Sequence, residues 1–321
     1  MARRKNLNTL DIISSALNEE ECLTEFISRI RQVMLTEKDY TYRLLIMDNG
    51  STDSTWSIIC KEAKNDHRII GYRMSRTFSL DAAFSNGLDK ATSDVVIVMC
   101  SDLQDPPEVI PDLLRKYEQG FDQVTVRVTK RESVSFIRRK FTKLFYKMAG
   151  YFTDGLIAES VSDFRLLTRR AYEATRQLPE VNRFFRGLAS WVGFNSIAIE
   201  ISRPNRFAGS SKFAQLSLTS AISFGIKGIL AYSKKPLAVV AIIGITMSAL
   251  AIATSFVMSV LWVYHGVPFA GYGSILGVMF VGFSLVLLCI GVLAVYIGLI
   301  YDEVKKRPLY IVSDITSDNN R

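Results

Sequence analysis

The chain has 321 residues, of which 49% are hydrophobic, and a formal net charge of +8 at pH 7. Its apolar residues are concentrated in the last third, where no Asp, Glu, Lys or Arg occurs from Pro236 to Tyr301. The four cysteines are far apart and lack a metal-ligand spacing, which argues against a structural zinc site and favours reduced thiols in the cytosol.

The N-terminal half alternates short apolar runs with amphipathic segments. We predict strands at Thr9–Ala16, Tyr42–Met47, Ile69–Met74 and Val95–Met99, and helices at Glu20–Leu35, Ser54–Lys64 and Leu80–Lys90. This alternation predicts a parallel sheet covered by helices. The first apolar run is interrupted by Asp11 and serines and no cleavage site follows, so we predict no secretory signal and a cytosolic N-terminal domain.

Polar loops follow each predicted strand. In open α/β sheets ligands bind beyond the carboxyl ends of the strands. We therefore expect one pocket to collect the loops Asn18–Glu20, Asp48–Asp53, Ser75–Thr77 and Ser101–Asp105.

The acidic segment Asp102–Glu108 follows the apolar run that ends at Met99. In an extended segment Asp102 and Gln104 would project to one side and could share a divalent cation through hard oxygen ligands. Asp105 alternatively caps a helix that starts near Pro106. Both interpretations can hold at once.

Two segments have the pattern of helices that lie in a membrane surface. Between Phe136 and Met148, apolar residues at helical spacing alternate with five basic residues, a pattern typical of anionic membrane surfaces. A solvated basic face on an ordinary core helix is the alternative. A weaker pattern of the same kind covers 213–224.

Two apolar runs, Leu237–Tyr264 and Ile275–Tyr301, each exceed the roughly 20 residues needed to cross a bilayer. Basic residues flank the pair at Lys234-Lys235 and Lys305-Lys306-Arg307, and the link between the runs has none. The positive-inside rule then places both ends of a two-span hairpin in the cytoplasm. Two buried helices of a soluble protein are the alternative.

Six motifs occur in chain order: Asn18-Glu19-Glu20, Asp48-Asn49-Gly50-Ser51-Thr52-Asp53, Asp102-Leu103-Gln104-Asp105-Pro106-Pro107-Glu108, Ser162-Asp163-Phe164-Arg165-Leu166-Leu167, Arg183-Phe184-Phe185-Arg186-Gly187-Leu188 and Arg206-Phe207-Ala208-Gly209-Ser210-Ser211-Lys212. With the hairpin, they make the chain resemble, over nearly its whole length, the GT-A-type family 2 polyprenyl-phosphate glycosyltransferases. This group includes bactoprenol glucosyltransferases and dolichol-phosphate mannose synthases.

The resemblance implies roles for individual residues. Residues of the donor site would be Ser15, Leu17, Glu19, Asp48, Asn49, Arg76, Ser101 and Asp102. Asp102 and Gln104 would bind Mg²⁺ or Mn²⁺, and Asp163 would be the catalytic carboxylate, with Arg165 beside it. Residues that hold phosphates of the donor or the lipid would be Arg127, Lys130, Arg131, Arg206, Ser211 and Lys212. For each single Arg or Lys, a solvated surface charge is the alternative.

The chain departs from the family pattern in the donor half. Cys100 occupies the first position of the family's Asp-X-Asp, and a thiol is a poorer ligand for magnesium. The family's paired aspartates are Asp48-Asn49 here, its Pro and Tyr before Asn-Glu are Ser15 and Leu17, and its Arg-Asn-x-Gly is Arg76-Thr77-Phe78-Ser79. These changes predict a different sugar donor or a weakened donor site.

The resemblance implies a Rossmann-like GT-A α/β domain with a mainly parallel sheet, followed by interfacial helices and a transmembrane hairpin. We assign 1–134 to the nucleotide-sugar-binding core, 135–235 to the acceptor side, 236–303 to the two spans and 304–321 to a cytosolic tail. The expected protein is integral to the cytoplasmic membrane and transfers a sugar from UDP-glucose to polyprenyl phosphate with inversion. UDP-N-acetylglucosamine and GDP-mannose are alternative donors.

Two other classes of protein compete with this prediction. A non-catalytic membrane scaffold would account for Cys100, Asn49 and Thr77, whereas a processive polysaccharide synthase would need more spans to form a channel. Small residues in the predicted spans, such as Gly282 and Gly291, suggest close helix contacts or a homo-oligomer. No nucleic-acid partner is predicted.

Overall fold

The computed structural model describes residues 8–130, 161–180, 183–202, 235–265 and 271–316. The chain divides into two compact units, one formed by residues 1–223 with 307–321 and the other by residues 224–306. The two predicted surface helices, at 136–148 and 213–224, lie outside the described residues.

A mixed sheet forms the middle of the first unit. Its strands are β1 (Asn8–Ala16), β2 (Tyr40–Asp48), β3 (Ile69–Met74), β4 (Val95–Cys100), β5 (Gln123–Lys130), β6 (Val161–Thr168), β7 (Ser196–Ser202) and β8 (Val312–Ile315). Within the described residues their order is β7-β5-β6-β4-β1-β2-β3-β8. The pairs β1–β2, β1–β4, β2–β3 and β5–β7 are parallel, whereas β6 is antiparallel to both of its neighbours and β8 is antiparallel to β3. The predicted mainly parallel sheet is confirmed.

Helices cover both faces of this sheet. They are α1 (Leu23–Thr36), α2 (Thr55–Asn65), α3 (Leu80–Lys90), α4 (Ile110–Glu118), α5 (Arg169–Gln177) and α6 (Phe185–Trp191). Residues of α1, α2 and α4 pack into one hydrophobic core, and residues of α3, α5 and α6 pack into a second core on the opposite face. Because both faces are covered, Val95–Met99 is apolar throughout and fully buried.

The predicted elements of the first hundred residues are confirmed with small shifts at their ends. The helix predicted from Glu20 begins at Leu23, and β2 extends two residues further at its start than predicted. The bounds of α3 are as predicted, because the Ser79 hydroxyl accepts the N–H of Ala82 at 3.1 Å and caps the helix.

The predicted C-terminal tail contains a strand. β8 pairs with the edge strand β3, with Tyr72 opposite Ile315. Thr316 extends the contact, since its N–H donates to the carbonyl of Gly71 at 3.0 Å and its hydroxyl accepts the N–H of Gly71 at 2.9 Å. A Cβ at position 71 would lie 2.3 Å from Cγ2 of Ile59, so this close packing requires glycine.

The second unit contains two long helices that contact each other, α7 (Lys235–His265) and α8 (Tyr272–Lys305). Both predicted apolar runs are therefore helical. Within the described residues, one segment, Val281–Lys305, is by length and composition alone suited to cross a bilayer, with a mean hydropathy of 2.7.

Candidate active site

The candidate site begins where three parallel strands end. The register places Ser15 of β1 beside Cys100 of β4, and Ala16 beside Asp48 of β2. The N–H of Ser101 donates to the Ser15 carbonyl at 3.4 Å and continues the pairing of β1 and β4 past the end of β4. The polar loops predicted to form one pocket therefore leave the sheet at the same edge.

Asp48 is the fully buried carboxylate of this edge. Its Oδ1 accepts the N–H of Ser51 at 3.0 Å, and its Oδ2 lies 3.4 Å from Nε of Arg73. Burial raises the pKa of Asp48, against the hydrogen bonds from Ser51 and the charge of Arg73. Within the described residues Oδ2 is buried and accepts no hydrogen bond, and the guanidinium of Arg73 is the charge beside it.

Asn49 ties the loop after β2 to the loop after β3. Its Nδ2 donates to the carbonyl of Phe78 at 2.9 Å, and its Oδ1 accepts the N–H of Phe78 at 2.8 Å. Arg76 is exposed and its guanidinium lies 3.9 Å from the centroid of the Phe78 ring. Asn49 therefore shapes the predicted donor pocket through the backbone of its neighbouring loop.

The loop after β1 is fixed to the loop after β2. Asn18 has a left-handed backbone, with φ of 50°, and its Oδ1 accepts the N–H of Thr52 at 2.8 Å. The N–H of Glu19 donates to the Thr55 hydroxyl at 2.8 Å. These bonds leave Leu17 and Glu19 half-buried at the edge of the sheet.

The segment after β4 is a turn and not the extended segment that we predicted. Leu103 has a φ of 60°, and Oδ1 of Asp102 accepts the N–H of Gln104 at 3.1 Å. Asp and Asn side chains favour such turns because they bond their own backbone two residues on. The predicted reason for Asp102 and Gln104 to lie on one side, the alternation of side chains along an extended segment, therefore does not apply. Both residues nevertheless lie in the same turn. Ser101 is buried, and its hydroxyl donates to the Ser15 carbonyl at 2.9 Å.

The predicted helix cap at Asp105 is wrong. The short 3-10 helix Pro107–Val109 begins after Pro106 and has no side-chain cap. Asp105 is buried instead, where its carboxylate accepts the N–H of Cys100 at 3.3 Å and the hydroxyl of Ser162 at 3.4 Å. Its carboxylate joins β4 to β6, because these partners lie on neighbouring strands.

Asp163 lies at the start of β6, which runs antiparallel to β4, so it belongs to the same edge of the sheet. It forms a two-point ion pair with Arg186 of α6, in which Nε and Nη2 each donate to a carboxylate oxygen at 2.6 Å. Such parallel bonds fix both side chains in position. Asp163 is 8% exposed, whereas 34% of the Arg186 side chain is exposed, so the carboxylate is buried and its partner reaches solvent.

Arg165 is fully buried beneath this pair. Its Nη2 donates to the Ser162 carbonyl at 3.1 Å, and its guanidinium lies 5.1 Å from the centroid of the Phe185 ring. Burial lowers the pKa of Arg165 to about 10, although the charge of Asp163 opposes this. The side chain therefore stays charged at neutral pH but does not reach solvent.

Most of the predicted phosphate-binding residues lie outside the described part of the chain: Arg131, Arg206, Ser211 and Lys212. Arg127 is on β5 in register with Val161, and its Nη1 lies 4.0 Å from Glu200 of β7. Lys130 ends β5, opposite Ser202. Their role in binding phosphate stays a prediction.

The model of glycosyl transferase family 2 matches residues 11–176. The chain belongs to this family. The glycosyltransferase is 36% identical to a prophage-derived bactoprenol glucosyl transferase of Shigella flexneri over 304 residues, 94% of this chain and 97% of the relative. It is 34% identical to a prophage bactoprenol glucosyl transferase homolog of Escherichia coli K12, over 95% of this chain and 99% of the relative.

The fold of the glycosyltransferase is also that of solved enzymes. Glucosyl-3-phosphoglycerate synthase from Mycobacterium tuberculosis, solved with Mn²⁺, uridine diphosphate and phosphoglyceric acid, matches with a TM-score of 0.51. The match has 19% sequence identity and covers 70% of this chain and 78% of that one. The expected GT-A fold is confirmed.

The acidic turn of the glycosyltransferase fits a metal site that the donor completes. Within the described residues, no group of three or more His, Cys, Asp or Glu side chains could hold a metal ion. Mg²⁺ commonly binds proteins through one or two carboxylates together with substrate phosphates. The carboxylate of Asp102 and the amide oxygen of Gln104 are suitable oxygen ligands for such a shared site.

Sequence analysis missed two residues that the structure brings to the site. Arg186 was included in a motif but was given no role, and Arg73 was not singled out. The available signals were the repeated arginines of Arg183–Leu188 and a basic residue at the carboxyl end of a predicted strand. Neither signal identifies the carboxylate that each arginine contacts.

Proposed function

We propose that this glycosyltransferase moves glucose from UDP-glucose to polyprenyl phosphate at the cytoplasmic face of the membrane, with inversion at the anomeric carbon. The observation that carries the proposal is the 36% identity, over 94% of the chain, to a protein named bactoprenol glucosyl transferase. The carboxylates and arginines at one sheet edge support it. Moving a sugar from a diphosphate donor to a phosphate acceptor needs carboxylates that bind a cation and arginines that supply fixed positive charge.

The second unit supports a membrane location. From Pro236 to Tyr301 the chain has no charged residue, and this stretch includes most of both α7 and α8. A charge-free pair of helices of this length suits a hydrocarbon core of roughly 30 Å. We propose that the pair forms a two-span hairpin, with the catalytic unit on the cytoplasmic side, where nucleotide sugars are found.

The donor would bind across the ends of β1, β2 and β4. Ser15 and Asp48 lie there, and the bonds of Asn49 to Phe78 shape the adjoining loop. Asp102 and Gln104 would hold a divalent cation, which when bound neutralises charge on the leaving diphosphate. The donor would then present its anomeric carbon towards β6.

The acceptor needs little help to become a nucleophile. The second pKa of a phosphate monoester is about 6, so the lipid phosphate is mostly dianionic at neutral pH. One of its oxygens forms a bond to the anomeric carbon as the bond from that carbon to the diphosphate breaks. Most acceptor molecules therefore carry no proton that Asp163 would have to remove. The two-point bond between Asp163 and Arg186 suits a role in fixing a cation beside the reacting phosphates.

The direct test is a panel of donors. Purified protein in detergent is supplied with undecaprenyl phosphate, a divalent cation and labelled UDP-glucose, UDP-N-acetylglucosamine or GDP-mannose. We expect organic-extractable label from UDP-glucose and none after chelation of the cation. Label from another donor would correct the sugar only, whereas no transfer from any donor would refute the proposed function.

The Asp163→Asn variant tests the catalytic pair. An amide cannot accept two charge-assisted bonds from Arg186, so both side chains lose their fixed geometry. We expect sugar transfer to fall by about 100-fold or more, with UDP affinity within about twofold of wild type. Turnover comes from the labelled lipid and affinity from calorimetry.

Asp122→Asn is the matched control for that variant. Asp122 is also buried and also bonded to an arginine, with its Oδ1 2.5 Å from Nε of Arg170, but it lies at the opposite edge of the sheet. It should transfer sugar at the wild-type rate per folded molecule. Normal turnover by Asp163→Asn would remove Asp163 from catalysis.

A further inference from the structure

The first turn of α6 is tied to α3 by a carboxylate. Asp81, the second residue of α3, accepts the N–H of Phe185 on Oδ1 at 2.8 Å, across 104 positions of the chain. Phe184, which precedes α6, provides no side-chain cap. The first N–H groups of a helix have no partner within it, so Asp81 satisfies one of them from a neighbouring element.

The residue after Phe185 is Arg186, which is held by Asp163. Two carboxylates from different elements therefore hold adjacent residues of one short helix, Asp81 through the backbone and Asp163 through the guanidinium. A shift of the Phe185 backbone would carry Arg186 with it. The bond from Phe185 to Asp81 and the ion pair of Arg186 with Asp163 therefore lie one residue apart.

Apolar contacts orient the same turn without fixing its backbone. The ring of Phe185 and the ring of Phe84 on α3 have centroids 5.5 Å apart. The guanidinium of Arg165 lies over the Phe185 ring, 5.1 Å from its centroid. The two rings are tilted by 51° to each other, and such a contact fixes position less strictly than a directional hydrogen bond to a carboxylate. Asp81 is therefore suited to set the position of this turn.

We propose that Asp81 is a positioning residue that holds Arg186 on Asp163 through the backbone of Phe185. The inference rests on the proposed function, because it treats the Asp163–Arg186 pair as part of the transfer site. It assigns a role to a residue of α3 whose carboxylate accepts a backbone N–H of α6.

A set of variants separates positioning from simple stability. Asp81→Ala removes the bond, so kcat for transfer to polyprenyl phosphate should fall by about 10- to 100-fold, with the KM for the donor within about twofold. Asp81→Asn keeps an acceptor oxygen and should retain at least about half of the wild-type kcat. An Asn variant as slow as the Ala variant would overturn the proposal.

A double-mutant cycle tests whether Asp81 acts through Arg186. If it does, Asp81→Ala should slow transfer no further in an Arg186→Ala background, since the group being positioned is already absent. A purely structural role would instead make the two losses in kcat multiply. That result, measured per folded molecule, would contradict the proposal.

Hydrogen exchange gives a readout that does not depend on activity. Amides of the segment 184–191 should exchange faster in Asp81→Ala than in wild type, while Asp81→Asn stays close to wild type and α5 serves as the unchanged reference. Unchanged protection of this segment in Asp81→Ala would overturn the proposal. If wild-type protein transferred no sugar at all, the proposed function would fail, and the exchange result would still decide the role of Asp81.

Discussion

The side chain of Asn49 makes two bonds that an aspartate could not both make. Its amide nitrogen donates to the Phe78 carbonyl and its oxygen accepts the Phe78 N–H, so one peptide group is bound on both sides. The residue is 4% exposed. This position departs from the paired aspartates of the family, and here the asparagine has become a link between two loops.

Restoring the family's residue by Asn49→Asp should therefore destabilise the protein. The Phe78 carbonyl would lose its donor and face a buried carboxylate, at a cost of about 1–3 kcal/mol in the free energy of unfolding. Asn65→Asp, at the exposed end of α2, should change stability by no more than about 0.5 kcal/mol. Urea denaturation at pH 7.5 compares the two, and equal stabilities would show that the link contributes little.

Residue types were easier to predict from the sequence than residue pairs. The family resemblance implied that Asp163 is the catalytic carboxylate, and the structure places it at the sheet edge where β4 ends. Its partner is Arg186, 23 positions away on another element, and not the nearby Arg165. Sequence spacing cannot reveal this choice, because it depends on how α6 packs against β6.

At the level of elements, buried strands were predictable and polar ones were not. Val95–Met99 is apolar on both faces because helices cover both, and this produces a strong signal in the sequence. β8 has four residues, two of them the polar Ser313 and Asp314, and it forms only at the edge of the sheet. The turn after β4 was missed because the Asp102 side chain bonds the backbone of Gln104 and ends the extended conformation.

The junction of β8 with β3 can be tested at Thr316. Thr316→Val keeps the shape of the side chain but removes the oxygen that accepts the N–H of Gly71, which should lower the unfolding free energy by about 1 kcal/mol. An edge strand without its partner is also open to cleavage and association. We expect faster proteolysis within the C-terminal tail.

Thr36→Val is the control for that prediction. Thr36 is exposed at the end of α1, and its hydroxyl donates only within its own helix, to the carbonyl of Val33. Its tail should be cleaved at the wild-type rate. Equal cleavage of the Thr316→Val tail would show that the hydroxyl does not secure β8.

Across the whole catalytic unit, the two carboxylates Asp11 and Asp81 have pKa values shifted in opposite directions. Near the amino ends of β1 and β4, burial favours protonated Asp11, but hydrogen bonds from Arg43, Thr92 and Ser93 hold its pKa below the ordinary value. At the site edge, burial raises the pKa of Asp81 to about 6, and the charge of Asp163 adds to this against the N–H of Phe185. The folded protein therefore favours the charged form of Asp11 and disfavours the charged form of Asp81.

The two carboxylates should consequently give opposite pH dependences of stability. Folded Asp81 binds its proton more tightly than the unfolded chain, so its stabilising contribution is complete below pH 3.8 and is lost as the pH rises through about 6. Asp81→Asn should therefore raise the unfolding free energy at pH 7.5 by about 1–3 kcal/mol, and this gain should vanish near pH 4.

Asp11 stabilises the fold above its ordinary pKa of 3.8, and this contribution is lost as the pH falls, so Asp11→Asn should lower stability at pH 7.5. Urea denaturation at pH 4 and pH 7.5, followed by tryptophan fluorescence, measures both. A loss of stability in Asp81→Asn at pH 7.5 would mean that the charge of Asp81 stabilises the fold. The expected gain would mean that the protein retains this carboxylate at the expense of stability.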